Sequence, residues 1–189
     1  MKILTLTLAT VTLTALIGVV GHTTAQSPSE SAAKPEVLST QDEAAVRGIV
    51  AEFNKAWNSH DMKAMHALNT DDVEWINVTA NHWRGNAVVL KGHSTIHRTI
   101  VAKTDMSVEK ILVRSIAPGV ALAVATMKFG PTATPTGEVL PARTRGTFTM
   151  VKQGAAWKIA HFQNTIIDPI AEKHDPITWD ETGWLPGRK

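Results

Sequence analysis

Two histidines in the middle of the chain have the spacing with the clearest chemical use. His93 and His97 fall on one side of a helix, because residues four apart are neighbours on a helical surface. Val89, Ile96 and Ile100 share that side, so the two imidazoles lie on an apolar stripe that is predicted to face inward. Two rings placed in this way can exchange protons with a bound ligand or chelate a metal ion.

The histidine pair has three interpretations. As catalytic groups, His93 and His97 act as acid and base on a ligand, and no metal or cofactor is then needed. As metal ligands they require a third donor, for which the candidates are His161, His82, His66 and Asp61. As structural residues both rings hydrogen-bond to backbone carbonyls or to Asn77 and fill the core.

Three more polar or amphipathic residues are candidates for ligand binding. Asn77 lies within a strand predicted over Val73–Val78, where asparagine is unfavourable unless its side chain has a partner. Asn164 interrupts the apolar pattern of the last strand in the same way. Trp83 is placed to cover a pocket, with Gly85 supplying the turn behind it. The alternative is that these side chains form a network that ties the loop to the sheet.

The remaining candidates depend on which way a helix or strand faces. Trp57, at the core-facing end of the first predicted helix, is either a pocket wall or part of the core. Arg145 alternates with Arg143 on one face of a strand. If that face is concave, Arg145 can bind a carboxylate or enolate; if it is convex, the charge is exposed or belongs to a dimer interface. Asp61 has the position of a helix N-cap.

Composition excludes several classes of partner. The chain has 189 residues, a formal net charge of +2 and no cysteine. Its basic residues are scattered and form no run, so we expect no nucleic-acid partner. Without disulfides, a chain of this length must be stabilised by burial in a single core. After the N-terminal segment, no apolar stretch approaches the roughly 20 residues of a membrane helix.

The N-terminal residues 1–25 have the pattern of a signal peptide. Lys2 precedes an apolar, threonine-rich run, and Thr23, Thr24 and Ala25 offer small residues for cleavage. We therefore expect an exported protein, periplasmic or secreted, with an uncleaved membrane anchor as the alternative. Residues 26–39 are predicted to be a flexible linker, residues 40–168 the folded domain, and residues 169–189 an irregular tail that packs on the domain through Trp179 and Trp184.

The hydrophobic pattern predicts an α+β fold. A capping box of Thr40 and Glu43 is expected to start the first helix. A short helix over Met62–Leu68, the strand Val73–Val78 and the histidine-bearing helix follow. Four long strands in two hairpins are predicted over residues 107–116, 120–129, 142–152 and 156–167. The expected architecture is a curved antiparallel sheet wrapped around about three helices, with a pocket inside.

Three sequence segments also resemble a known family. The segments AVRGIVAEFNKAWNSHDMKAMHAL, WINVTANHWRGNAVVLKGH and AAWKIAHFQNT are similar to the SgcJ/EcaC family of the SnoaL-like, nuclear-transport-factor-like cone superfamily. The resemblance runs from about Thr40 to Asp168 and implies a cone fold with an interior pocket. It also implies a homodimer through the sheet. SgcJ/EcaC members are often labelled oxidoreductases, and the superfamily includes isomerases, dehydratases, binding proteins and dimerisation modules.

These observations lead to one main hypothesis and two alternatives. The main hypothesis is an exported protein that binds a small, mostly apolar molecule, oriented by His93 and His97 with help from Asn77 and Asn164. His-assisted proton transfer is the chemistry we expect if the protein is an enzyme. The alternatives are a non-catalytic dimerisation domain, whose pocket is small or plugged by Trp57, Trp75 and Phe162, and a metal-binding protein with histidine ligands.

Overall fold

The computed structural model describes residues 37–132, 137 and 142–174. The predicted signal peptide, the predicted linker up to residue 36 and the tail segment with Trp179 and Trp184 lie outside the described residues. Within the described part of the chain, no helix is both long and apolar enough to span a membrane.

The first helix, α1, runs from Thr40–Asn58 and carries the predicted apolar stripe. Its buried residues include Val46, Val50, Phe53 and Trp57, as the spacing indicated. The predicted capping box is wrong by one residue, since the Oγ atom of Ser39 accepts from the backbone N–H of Asp42 at 3.0 Å. Glu43 is used differently: it pairs with Arg47 one turn along the helix, at 2.8 Å.

Two shorter helices follow α1 in the chain. Helix α2 spans Met62–His66, and the carboxylate of Asp61 caps it by accepting from Ala64 N at 2.9 Å, as expected. It ends earlier than predicted because the chain enters the first strand at Asn69. Helix α3 spans Asn86–Ile96 and begins after Gly85, whose φ of 83° is a conformation that glycine adopts readily.

In the part of the chain that the structure describes, six strands form one sheet. They are β1 (Asn69–Ile76), β2 (His82–Arg84), β3 (Met106–Ala117), β4 (Val120–Phe129), β5 (Arg143–Gln153) and β6 (Ala156–Ile166), in the order β2-β1-β6-β5-β4-β3. Both predicted hairpins are present, and β2 forms where the sequence indicated only a turn. The sheet is mixed, not purely antiparallel, because β1 runs parallel to β6, with Trp75 opposite Phe162.

Strand alternation decides which side chains of β5 face the helices. Thr144, Gly146, Phe148 and Met150 are on the buried face, and the Phe148 ring lies 5.5 Å from that of Phe53 on α1. Arg145 lies between them in sequence and therefore belongs to the opposite face. The sheet and the helices thus enclose one core, and the arginines of β5 lie outside it.

The chain after β6 was expected to be irregular, yet it begins with a helical turn. Helix α4 spans Pro169–Lys173, and the carboxylate of Asp168 caps it by accepting from two backbone N–H groups. Proline at the first helical position suits this start because it has no N–H to satisfy. Glu172 of α4 pairs with Arg143 at 2.7 Å, which fastens the turn to the sheet.

Candidate functional site

A cavity of about 250 Å³ lies between the helices and the buried face of the sheet. Aromatic rings supply much of its wall, namely Phe53, Trp57, Trp75, Phe129 and Phe162. Aliphatic side chains complete the apolar surface, namely Val78, Ile96, Ile100, Val101, Met106 and Met127. The polar lining residues are Asn77, Thr79, His93, Thr104, Thr132, Thr144 and Asn164. Among the described residues that line the cavity there is no Lys, Arg, Asp or Glu.

The aromatic wall is fixed by its own contacts. The rings of Trp75 and Phe162 stack across the β1–β6 pair at a centroid distance of 4.2 Å. Trp57 donates its indole N–H to the carbonyl oxygen of Thr104 at 3.1 Å, so its only polar atom is satisfied. Trp57, Trp75 and Phe162 therefore line an open cavity and do not plug it, contrary to what the scaffold alternative expected.

His93 is the one imidazole among the described residues that line the cavity, and it is buried, with 3% of its surface exposed. Its Nδ1 atom lies 2.8 Å from Nε2 of His66. The Nδ1 atom of His66 lies 2.6 Å from the carbonyl oxygen of Met62. A carbonyl only accepts, so His66 carries its proton on Nδ1. In neutral His66 the Nε2 atom is then an acceptor, and His93 Nδ1 must donate to it.

This chain of hydrogen bonds determines which atom His93 offers to the cavity. With its proton on Nδ1, neutral His93 presents a lone pair on Nε2, and Nε2 has no hydrogen-bond partner among the described residues. Burial lowers the pKa of His93 well below its usual value, and nearby His66 and His97 lower it further. Burial also lowers the pKa of His66, opposed by the bond to Met62. Both rings are therefore neutral at physiological pH.

His97 does not join His93 at the cavity. It is the C-cap residue of α3, is 6% exposed, and its Nδ1 atom lies 2.8 Å from Nδ1 of His60. Its ring packs edge-on against Trp57 at a centroid distance of 4.3 Å. Burial lowers the pKa of His97 to about 4, with smaller effects from His60 and His66. The expected functional pair is thus split: His93 bonds to His66, and His97 bonds to His60.

Asn77 lines the cavity, but its carbonyl oxygen is used by its own loop. Asn77 Oδ1 accepts from the backbone N–H and the hydroxyl of Thr79 and from the backbone N–H of Asn81, all within 3.0 Å. These bonds hold a tight loop in which Ala80 has a positive φ of 63°. The structural alternative foreseen for Asn77 is therefore present in the structure.

Trp83 and Arg145, two predicted binding residues, are not among the residues that line the cavity. Trp83 packs on α3, where its ring lies over Gly92 and contacts His93 edge-on at a centroid distance of 5.3 Å. This contact helps to hold the His93 ring in place. Arg145 faces the other side of the sheet, opposite Thr126 of β4 and Thr165 of β6. The concave-face role proposed for this arginine is wrong because strand alternation places Thr144 inside instead.

Asn164 lines the cavity, and so does a second polar residue, Thr144, that the sequence reasoning missed. Thr144 lies on the same buried face, because Asn164 is directly opposite Gly146 and Thr144 is two residues from that glycine. The Oγ1 atom of Thr144 and the Oδ1 atom of Asn164 are buried and have no hydrogen-bond partner among the described residues. Such orphaned atoms are uncommon and costly, so a bound molecule that satisfies them gains affinity.

A second polar region was also missed by the sequence reasoning. The hydroxyls of Thr104 and Thr132 lie 2.5 Å apart, and Thr132 donates to the carbonyl oxygen of Gly130 at 3.2 Å. Thr104 therefore donates to Thr132, and this pair satisfies itself. The signal for Thr144 was available in the alternation Thr144-Gly146-Phe148, where the third residue is plainly apolar. No local pattern marks Thr104 or Thr132.

The described residues contain no group of three or more His, Asp or Glu side chains arranged to hold a metal ion. The two histidine pairs explain this, since each uses ring nitrogens in a direct nitrogen–nitrogen hydrogen bond at 2.8 Å. A metal ion would have to break these bonds to be bound. The described geometry is that of a neutral imidazole facing an apolar cavity.

Comparisons with known proteins agree with this architecture. Residues 46–169 match the SnoaL-like domain, and the chain therefore belongs to the SnoaL-like family. An uncharacterized protein with a cystatin-like fold from Caulobacter vibrioides is 31% identical, with a TM-score of 0.69, over 72% of this chain and 96% of that chain. None of the curated proteins matches the sequence significantly.

More distant structures share the fold alone. A ketosteroid isomerase-like protein from Erwinia carotovora atroseptica SCRI1043 is 18% identical, with a TM-score of 0.58, over 69% of this chain and all of that chain. An NTF2-like protein with a cystatin-like fold from Novosphingobium aromaticivorans is 17% identical, with a TM-score of 0.58, over 68% of this chain and 84% of that chain. The α+β cone expected from the sequence is thereby confirmed.

Proposed function

We propose that this SnoaL-like protein binds a compact, mostly apolar molecule in its interior cavity. The observation that supports the proposal is the composition of the cavity wall, which combines five aromatic rings with a few separated polar groups. Ligand sites commonly have this character. The volume of about 250 Å³ exceeds the ~150 Å³ of an engineered apolar cavity that holds one benzene. A molecule with one or two rings fits this space.

The test is a pair of matched phenylalanine substitutions with native mass spectrometry as the readout. Val101 lines the cavity, and Val101→Phe fills part of it, whereas Val88 is 52% exposed on α3 and serves as the control. We expect the native protein and Val88→Phe to retain an organic mass, or to take up an apolar fluorescent probe, and Val101→Phe to lose it. Absence of retained ligand and of probe uptake in all three proteins would favour a scaffold domain.

If the bound molecule reacts, we propose that His93 takes a proton from one atom of the ligand and returns it to another atom of the same ligand. Neutral His93 accepts a proton from the ligand on Nε2 and becomes an imidazolium. The Nδ1 proton of that imidazolium can pass to Nε2 of His66, but it can go no further, because the Nδ1 atom of His66 bonds only to the carbonyl oxygen of Met62, which is not a base. The proton must then return from Nε2 to the ligand, which is the balance of an isomerisation.

This chemistry is tested with the molecule that co-purifies with the protein. Incubation with the native protein in D2O is expected to exchange ligand C–H hydrogens or change the ligand's isomer, and His93→Gln is expected to stop both. An unchanged ligand after prolonged incubation with the native protein would contradict catalysis and leave binding in place.

We also propose a homodimer formed through the outer face of the sheet. Leu112 of β3 lies opposite Val124 of β4, and both are on the face away from the cavity, as is Leu122 two residues from Val124. Ile116, further along β3, is 43% exposed. Val124 is already buried, with 6% of its surface exposed, and a two-fold contact would cover the other three side chains. Leu122→Glu is expected to give a monomer in light scattering, while Ile170→Glu, at a position 71% exposed on α4, keeps the native mass.

Export is the remaining part of the proposal. The support is the sequence of residues 1–25, with its single lysine, its apolar run and its small-residue end. The protein recovered from outside the cytoplasm is expected to have the intact mass of a chain that begins near Gln26. Recovery of the uncut chain from the membrane fraction would favour the anchor alternative.

A further inference from the structure

The structure allows the ligand class to be narrowed beyond "small and apolar", and this inference rests on the proposed ligand-binding function. We infer that the cavity selects a neutral ring compound that carries a hydroxyl group, an alcohol or a phenol, and discriminates against carboxylates. The hydroxyl donates to Nε2 of His93. Three features of the cavity support this inference: the tautomer of His93, the absence of a countercharge among the described lining residues, and the position of the remaining polar groups.

The tautomer of His93 makes the imidazole an acceptor. The carbonyl of Met62 fixes the proton of His66 on Nδ1, at 2.6 Å, and His66 in turn fixes the proton of His93 on its Nδ1, at 2.8 Å. His93 cannot turn its N–H toward the cavity without breaking its bond to His66. A ligand that meets Nε2 must therefore bring a donor, and an ether or ketone oxygen there would face a lone pair.

A negatively charged ligand would find no positively charged partner among the described residues that line the cavity. No Lys or Arg is among the described residues that line the cavity, and Arg145 lies on the other face of the sheet. Burying a carboxylate without a countercharge or several donors is strongly unfavourable. A carboxylate near His93 would also face the Nε2 lone pair. Neutral hydroxyl compounds avoid both costs.

The part of the wall formed by β5 and β6 can hydrogen-bond to a further polar group on the ligand but does not require one. The hydroxyl of Thr144 can donate or accept, and the amide of Asn164 has both kinds of atom. Both have a buried oxygen without a partner among the described residues. A second hydroxyl on the ligand would satisfy either oxygen once that side chain turned it toward the cavity. The walls between these groups and His93 are aromatic, with Trp75 and Phe162 stacked at 4.2 Å, which suits a flat ring.

The experiment uses three probes of nearly equal shape: 2-naphthol, 2-methylnaphthalene and 2-naphthoate. Their affinities for the full chain are measured by tryptophan fluorescence at pH 7.5. The native protein is expected to bind 2-naphthol more tightly than 2-methylnaphthalene, and 2-naphthoate at least about tenfold more weakly than 2-naphthol. In His93→Leu the naphthol preference should fall by about fivefold, while Thr126→Val, a buried threonine that does not line the cavity, should preserve it.

A second measurement does not depend on the stability of a variant. In the native protein, the ¹⁵N resonance of His93 Nε2 is expected to move toward the protonated position when 2-naphthol binds, and to stay unchanged with 2-methylnaphthalene. Equal affinities for 2-naphthol and 2-methylnaphthalene, or tightest binding of 2-naphthoate, would overturn the hydroxyl inference and leave the ligand-binding proposal standing. If none of the three probes binds saturably, the ligand-binding proposal fails and this inference fails with it.

Discussion

The Nε2 atom of His66 lies 2.8 Å from Nδ1 of His93, and this contact links the short helix α2 to the wall of the cavity. It orients the His93 ring and assigns its proton, as the partner of a catalytic or ligand-binding histidine commonly does. Here the partner is a second neutral imidazole, and the carbonyl of Met62 ends the chain. His93 therefore presents an oriented lone pair to the cavity while remaining uncharged.

The first prediction concerns the protons of these two rings. At pH 7.5, long-range ¹H–¹⁵N correlation spectra are expected to show His66 and His93 both protonated on Nδ1 and unprotonated on Nε2. The reason is that the carbonyl oxygen of Met62 can only accept, so His66 must donate from Nδ1 and His93 must donate from its own Nδ1 to His66. A proton on Nε2 of His93 would contradict the hydrogen-bond order described above. His82, exposed on β2, provides an internal reference outside the network.

The second prediction is that mild acid destabilises the fold. Burial lowers the pKa of His97 to about 4 and that of His93 well below 6.5, whereas both rings titrate near 6.5 when the chain is unfolded. The unfolded state thus binds more protons in this window. Stability is fully present above about pH 6.5 and is lost as pH falls toward 4, by up to ~1.4 kcal/mol per pH unit for each proton taken up.

Urea unfolding at pH 7.5, 6.5 and 5.5 measures this loss. His97→Phe is expected to reduce the acid-dependent loss, because it removes one of the groups that takes up a proton. Equal free energies of unfolding at pH 7.5 and 5.5 in the native protein would show that the buried rings do not titrate in this way.

Two glycines in helices allow a third prediction with a matched control. A Cβ atom at Gly92 of α3 would lie 2.8 Å from the Trp83 ring, whereas one at Gly48 of α1 would meet nothing within 4 Å. Helix propensity favours alanine over glycine by about 1 kcal/mol at both sites. Gly48→Ala is therefore expected to raise the free energy of unfolding by roughly that amount.

Gly92→Ala is expected to be destabilising, because overpacking against a rigid indole costs about 1–3 kcal/mol and exceeds the gain in propensity. It should also disturb His93, which contacts Trp83 edge-on. Thermal and urea unfolding of the two variants distinguish the effects. A gain of stability in Gly92→Ala equal to that in Gly48→Ala would show that Trp83 does not pack on this helix as described.

The fourth prediction tests whether Asn77 is a loop residue. Its Oδ1 atom accepts three hydrogen bonds from Thr79 and Asn81. Asn77→Asp keeps an acceptor at that position and is expected to stay close to native stability, whereas Asn77→Ala is expected to lose about 1 kcal/mol or more. Equal stabilities of the two variants would indicate that the loop does not depend on this oxygen.

The comparison of sequence and structure shows where local patterns suffice. The spacing of His93 in α3 was enough to place its ring on the inward side, since burial follows helical period. His97 has the same spacing, but it caps the helix and bonds to His60, a residue 37 positions away. That pairing depends on how the turn between α1 and α2 packs against the end of α3, and no local pattern encodes it. The tautomer of His93 depends on the same long-range packing.

In the strands, too, local patterns predicted some features and left others undecided. Alternation in β5 was recognised, but both of its faces looked apolar enough that Arg145 could not be assigned to a side. The discriminating cue was Phe148, which shares parity with Thr144 and is fully buried. The Asn77 loop was also readable in advance, since an asparagine followed by Thr79 and Asn81 is typical of a side chain that bonds to the backbone two residues on.

The fifth prediction uses the buried hydroxyl of Thr144. This side chain is 1% exposed, and its Oγ1 atom has no hydrogen-bond partner among the described residues. Thr144→Val keeps the β-branched shape that suits a strand and removes an unsatisfied polar atom. The ligand-free protein is therefore expected to gain about 1 kcal/mol in its free energy of unfolding. Thr126→Val, a buried threonine on the opposite side of the sheet from Thr144, is the comparison.

A natural sequence that keeps an unsatisfied hydroxyl where valine would be more stable is consistent with selection for function at the cost of stability. Thr126 has no unsatisfied side-chain atom of this kind among the described residues, so Thr126→Val is not expected to gain stability. Urea unfolding of the two variants, measured side by side, decides the point. A loss of stability in Thr144→Val would show that the hydroxyl is satisfied within the ligand-free protein, and Thr144 would then be a structural residue of β5 instead of a ligand contact.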